Sequence, residues 1–151
     1  MKHKEAEETL REYLKNGNHR VTPERFIVLD AALDCEKHFS ADELYASMKS
    51  ADIKVSRATV YNTLDLLADC SLLTIRNFGD NMKRYESSVS KQSHDHLICI
   101  NCGKIVEFTS DEVGDIYKEV CNKLNFEPVN YSFNIFAKCK NKENCPHVNE
   151  K

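Results

Sequence analysis

Residues 93–108, "SHDHLICINCGKIVEF", set two histidines, an aspartate, two cysteines and a glutamate around an apolar strand pattern. A core strand needs none of these polar groups, whereas a metal site uses all of them. Cys99 and Cys102 stand two residues apart and are followed by Gly103. That is the turn in which two thiolates grip one zinc while glycine accepts a positive φ. A second pair, Cys139 and Cys145, lies beyond the last strand pattern. Two such pairs make a closed sulfur site, structural rather than catalytic, holding Zn(II). The five-residue gap in the second pair exceeds the usual two to four, so His147 is an alternative to Cys145. Cys35, Cys70 and Cys121 read as small buried residues on helix faces.

A second chemistry uses imidazole and carboxylate. His94 and His96 alternate with Asp95, so period two puts both rings on one face. Glu107 lies on the return strand, where its carboxylate can reach them. Glu86 and His38 come from earlier in the chain. This mixed donor set suits a divalent first-row ion, and softness does not choose among Fe(II), Mn(II) and Zn(II).

The elements that must position these groups follow from periodicity and caps. Thr22 and Pro23 open a helix in "VTPERFIVLDAALDC", and Ser40 with Glu43 forms a capping box in "SADELYASMKS". "SRATVYNTLDLLADC" buries Val60, Leu64 and Leu67 and leaves Arg57, Tyr61, Asn62 and Asp65 outside. "LLTIRNFGDNMKRYE" is a hairpin turning at Gly79-Asp80-Asn81. An earlier helix covers Glu5 to Lys15. Three short helices and a hairpin predict a winged helix-turn-helix over residues 1–86. The polar run 87–93 reads as a hinge. Residues 94–151 predict two short strands, a helix from Ser110 and a third strand within "NYSFNIFAKC". The expected class is α+β: an N-terminal winged-helix DNA-binding domain followed by a small α/β dimerisation domain. An exposed sheet edge there invites pairing, and a homodimer covers it.

The 151 residues carry a net charge of −3. Residues 1–86 hold 13 Lys/Arg against 15 Asp/Glu, so any DNA-binding face must be local. Candidate phosphate contacts are Arg25, Lys54, Arg57, Arg76, Lys83 and Arg84. Tyr61 can pack on a thymine methyl and Asn62 can pair with adenine. No apolar run approaches the roughly 20 residues that span a bilayer. The charged N-terminus lacks a signal peptide's apolar region, so cytoplasmic residence without a membrane is expected. In a reducing compartment seven cysteines are metal ligands or free thiols rather than a disulfide framework. A metallohydrolase would need an open coordination position and a general base, and no H-E-x-x-H motif is present. A zinc-stapled interaction module would leave the histidines and carboxylates without a task.

Taken in order, "TPER", "HFSADELY", "SRATVYNTL", "RYE", "HDHLICINCGKIVEF" and the terminal cysteines resemble the ferric uptake regulator family. The resemblance implies a dimeric, metal-dependent transcription factor, not an enzyme, that binds double-stranded operator DNA with an inverted repeat. It implies structural zinc at Cys99, Cys102, Cys139 and Cys145, and a regulatory metal at His38, Glu86, His94, His96 and Glu107. It puts Arg57, Thr59, Tyr61 and Asn62 on the base-reading helix and Arg25 near the DNA backbone. Iron sensing leads, with Fe(II) as the regulatory ion and Mn(II) or Zn(II) as alternatives. Peroxide and zinc sensing follow. Asn62 resembles the peroxide sensors, whereas Glu86 and Glu107 stand where those sensors have aspartates. A further metal site of some members is not expected, because of its places only Asp95 keeps a ligand, the others holding Ser93, Gly114 and Tyr131.

Overall fold

The structure, a computed structural model, describes residues 2–89, 94–129 and 131–140. The chain forms two compact units, Met1–Lys91 and Gln92–Lys151.

The first unit comprises α1 (Lys2–Asn16), α2 (Pro23–Leu33), α3 (Ala41–Ser50), α4 (Arg57–Asp69) and the hairpin β1 (Leu73–Asn77) and β2 (Lys83–Ser87). Each helix start is written locally. Thr22 is the extended N-cap of α2 but its hydroxyl makes no capping bond; Pro23, at the first position, supplies the fixed φ. At α3 the Glu43 N–H donates to Ser40 Oγ at 3.1 Å and the Ser40 N–H donates to Glu43 Oε2 at 2.8 Å, closing the capping box. At α4 the Thr59 N–H donates to Ser56 Oγ at 3.1 Å. Val60, Leu64 and Leu67 then enter a core with Leu10, Val28 and Leu29, all fully buried. Each such side chain stabilises the unit by about 1.5–3 kcal/mol. Arg57, Tyr61, Asn62 and Asp65 stay exposed on the opposite side of α4.

The hairpin is antiparallel, with Leu73 opposite Ser87, Ile75 opposite Tyr85 and Arg76 opposite Arg84. Gly79 and Asn81 adopt positive φ in its turn (84° and 58°). Ile75 shares a face with Leu73 yet remains 46% exposed, because the core underlies only the start of the ribbon. One further bridge ties α3's approach to the hairpin: Phe39 pairs antiparallel with Tyr85.

The second unit has β3 (Asp95–Cys99), β4 (Ile105–Phe108), α5 (Asp111–Lys123) and β5 (Asn134–Ala137). The sheet order is β4-β3-β5. β4 pairs antiparallel and β5 parallel to the central strand. Against the single exposed edge expected, the three-stranded sheet among the described residues has two, β4 and β5. The third strand is four residues long, shorter than its sequence pattern. α5 has the expected apolar stripe, but none of it is buried: Ile116, Val120 and Leu124 are 59%, 48% and 64% exposed.

Candidate metal centres and nucleic-acid interface

The sulfur site is built at the β3–β4 turn. Gly103, at φ 73°, turns the chain, and its N–H donates to the Cys99 carbonyl at 2.8 Å. The Cys99 N–H donates to the Lys104 carbonyl, and the Ile100 N–H to the Ala137 carbonyl. Those bonds bring the end of β5 alongside the turn and deliver Cys139. The Cys139 sulfur lies 3.1 Å from that of Cys99 and 3.9 Å from that of Cys102. The three thiols fall within 4.8 Å of one another. A tetrahedral zinc with Zn–S of about 2.3 Å sets sulfurs about 3.8 Å apart, so the trio fits with slight opening of one pair. The Cys99 thiol is already poised as a ligand: the Cys139 thiol and then the Cys102 backbone N–H lower its pKa to about 6. Cys145 and His147, the candidates for the fourth ligand, lie outside the described residues.

The histidine–carboxylate site grows from the register of β3 and β4. His96 stands directly across from Glu107. The His94 and His96 rings meet edge-on, with centroids 4.9 Å apart. His94 Nε2 is 3.7 Å from Glu107 Oε1. Each of the three offers a ligand atom within 4.8 Å of the others. Two imidazoles and a carboxylate so placed fit a divalent first-row ion. His96 is buried and Glu107 is exposed.

His38 and Glu86 belong to the first unit. The Phe39–Tyr85 bridge exchanges both backbone hydrogen bonds, at 3.0 and 2.7 Å. The bridge is isolated, and His38 and Glu86 are the chain neighbours of the bridged pair. Glu86 is buried and accepts from Arg76 Nε at 3.1 Å. His38 packs edge-on against Phe78, with centroids 5.2 Å apart. This pairing has no local sequence signal, since Phe39 and Tyr85 lie far apart along the chain.

On the first unit's exposed face, Arg25, Thr59 and Asn62 line one depression with Arg20 and Thr22. Arg25 donates to the Arg20 carbonyl, which orients its side chain along that depression. Arg57 lies over the Tyr61 ring at 5.5 Å and pairs with Asp42 at 2.6 Å. Arg20 and the neutralising Asp42 are participants that sequence reasoning missed. In the sequence Asp42 reads only as a first-turn acid, and nothing in the spacing links it to Arg57. Lys83 pairs with Asp65 at 2.6 Å, and Arg84 with Asp80 at 2.7 Å.

The remaining cysteines depart from expectation. Cys35, Cys70 and Cys121 are half-buried rather than buried. Cys35 and Cys70 lie just past the ends of α2 and α4, where their thiols donate to the Ala31 and Leu67 carbonyls. Burial raises the pKa of both. Of the places of the further family site, Gly114 lies on α5 and the Tyr131 ring packs tilted against that of Tyr117, with centroids 4.6 Å apart, while Ser93 is outside the described residues.

A winged helix-turn-helix joined in one chain to a small unit with converging metal-ligand sets defines a metal-responsive DNA-binding regulator. The Ferric uptake regulator family matches residues 16–136, and the chain belongs to it. It is 32% identical over 133 residues to the ferric uptake regulation protein of Vibrio cholerae, covering 87% of this chain and 88% of that one. The ferric uptake regulator of Helicobacter pylori, described as having three functional metal-binding sites, superposes with a TM-score of 0.75 at 27% identity. That likeness covers 93% of each chain. The Pseudomonas aeruginosa ferric uptake regulator, solved with manganese, superposes at 0.74 and 26% identity over 87% of this chain and 98% of that one. The chain is thus a transcription regulator rather than an enzyme. Among the described residues no helix is long and apolar enough to cross a membrane.

Proposed function

We propose that the chain is a cytoplasmic, homodimeric repressor that senses Fe(II) and binds an operator with an inverted repeat. The observation that carries this reading is the placement of His94, His96 and Glu107 around one point, with His38 and Glu86 flanking the bridged Phe39 and Tyr85 in the DNA-binding half. The regulatory site is the sum of the two sets. Cys99, Cys102 and Cys139, with Cys145 or His147 as the fourth ligand, hold a structural Zn(II) that fastens the end of β5 to the β3–β4 turn.

A divalent ion supplies one point of attachment shared by both halves. His38 and Glu86 donate from residues 1–86, and His94, His96 and Glu107 from residues 94–151, across the hinge at 87–93. Sharing an ion restricts the angle between the halves. In a dimer that angle sets the distance between two α4 helices, which must match major-groove faces about 34 Å apart. The uncovered Ile116, Val120, Leu124 and Phe136 support the homodimer, since burying them yields about 25 cal/mol per Å². Arg25, Arg57, Thr59, Tyr61 and Asn62 meet the DNA: Asn62 and Tyr61 at base edges, Arg25 and Arg57 at phosphates.

A second reading, peroxide sensing, draws on the exposed Asn62 of α4. One experiment separates the two. The zinc-loaded protein is titrated with Fe(II), Mn(II) and Zn(II) while DNA binding is followed, and peroxide is then added to the Fe(II) form. Iron sensing predicts Fe(II)-dependent binding that survives brief peroxide. Loss of binding with an oxidised histidine supports the second reading, and binding indifferent to all three ions refutes both.

A further inference from the structure

Four candidate phosphate-binding cations of the first unit are each engaged by a carboxylate: Arg57 by Asp42, Lys83 by Asp65, Arg84 by Asp80 and Arg76 by Glu86. Three of those carboxylates are solvent-accessible, at 61%, 57% and 47% exposure, so an arriving phosphate can displace them. Glu86 is 3% exposed and Arg76 14%. Their pair is buried, so separating it is costly unless the carboxylate gains another cation in place of Arg76.

We propose that Arg76 is a DNA-backbone residue held back by Glu86 and released when Glu86 ligates the regulatory ion. The inference rests on the assignment of Glu86 as a ligand under the proposed function. Arg76 and Glu86 occupy the same face of the β1–β2 ribbon, one pair apart: Thr74 faces Glu86 and Arg76 faces Arg84. A carboxylate this buried requires a cation, and Arg76 Nε at 3.1 Å fills that need. A divalent ion on the same carboxylate fills it better and repels the guanidinium. Arg76 also stands directly across from a second cation, Arg84, an arrangement that is unfavourable unless each has its own acid. Arg84 keeps Asp80, with two bonds of 3.0 and 2.7 Å. Across the ribbon Arg76 meets that cation rather than a second acid, so loss of Glu86 drives it outward. A guanidinium on the wing finds its planar, bidentate partner in a phosphate. The ion thereby adds a hydrogen-bonded phosphate as well as setting the angle between the halves.

The test uses R76Q and R76K in the full zinc-loaded chain. Mn(II) affinity is measured without DNA by competition with a fluorescent chelator. Salt dependence is measured on a duplex selected by the Mn(II)-loaded wild type from a randomised library. R76Q is expected to bind Mn(II) several-fold tighter, because the competing cation is gone. Its log–log salt slope at saturating Mn(II) is expected to fall by about 0.9, the value of one neutralised phosphate. R76K, which keeps the charge without the planar grip, is expected to bind Mn(II) as the wild type does and to retain the slope. Unchanged or weaker Mn(II) binding in R76Q, which would mean that Arg76 orients Glu86, overturns the inference, as does an unchanged slope. Should R76Q not fold, R76M, which also removes the charge, is read by the same two criteria. If wild-type binding to the selected duplex ignores Mn(II), the regulator reading itself fails and the inference falls with it.

Discussion

Phe39 and Tyr85 exchange both of their backbone hydrogen bonds, and His38 and Glu86 are their immediate chain neighbours. The bridge ties the segment that carries His38 to the strand that carries Glu86. Tyr85 also donates its hydroxyl to Asp65 of α4 at 2.9 Å. The strand that carries Glu86 is thus bonded to α4.

Removing a donor from this pair should uncouple metal from DNA without unfolding the unit. His38→Ala is expected to raise the Mn(II) concentration needed for half-maximal DNA binding by at least about 10- to 100-fold, the range seen when even outer-shell partners of metal ligands are removed. Fluorescence anisotropy of a labelled duplex during a Mn(II) titration measures it. The far-UV circular dichroism should stay that of the wild type.

The second unit should depend on its sulfur site. No side chain of α5 is buried, so the apolar core there is small. Zinc removal by a strong chelator, or Cys102→Ser, is expected to abolish the cooperative melting of this unit while the first unit still melts. Zinc-dependent folding energies are of order 10 kcal/mol, more than so small a core supplies. Calorimetry with and without chelator reads both transitions.

Base reading and backbone positioning should separate. Asn62→Ala is expected to cost about 1–3 kcal/mol against the selected duplex and to relax preference at one base pair. Arg25→Ala is expected to weaken binding to all duplexes alike and to lower the salt slope by about 1. Binding measured at several salt concentrations on matched and single-substituted duplexes distinguishes them.

Much of this is legible in the sequence for a physical reason. Caps, turn glycines and apolar periodicity act over a few residues, so Ser40, Ser56, Gly79 and Gly103 announce their elements, and the H-x-H spacing places His94 beside His96. The Phe39–Tyr85 bridge, the Asp42–Arg57 pair and the burial of Arg76 with Glu86 join residues distant in sequence, and no local pattern encodes them. Alternation in β5 does not say which strand it joins, so the sequence leaves open which strands form the edges of the sheet. The stripe on α5 does read as a helix face, but periodicity does not say what covers it.

The Asp65 bonds give a pH signature. The Lys83 hydrogen bond, and less strongly that of Tyr85, hold the Asp65 carboxyl below its ordinary range, with desolvation opposing them. The folded pKa is therefore lower than the unfolded one. The stabilisation is present above the unfolded value of about 3.9 and is lost as pH falls through the folded value. Asp65→Asn should flatten the acid limb of the stability curve by less than about 1 kcal/mol, because the Lys83 pair is largely exposed. Urea melts from pH 7 down to pH 3 would show it.

The central claim is that ion and DNA favour the same arrangement of the two halves. Linkage then requires DNA to tighten the ion by the factor with which the ion tightens DNA. The direct measurement is Mn(II) affinity of the zinc-loaded protein with and without saturating selected duplex. The account predicts roughly 10- to 100-fold tighter Mn(II) on DNA, a coupling of about 1.4–2.8 kcal/mol. Equal Mn(II) affinity in the two states would contradict it.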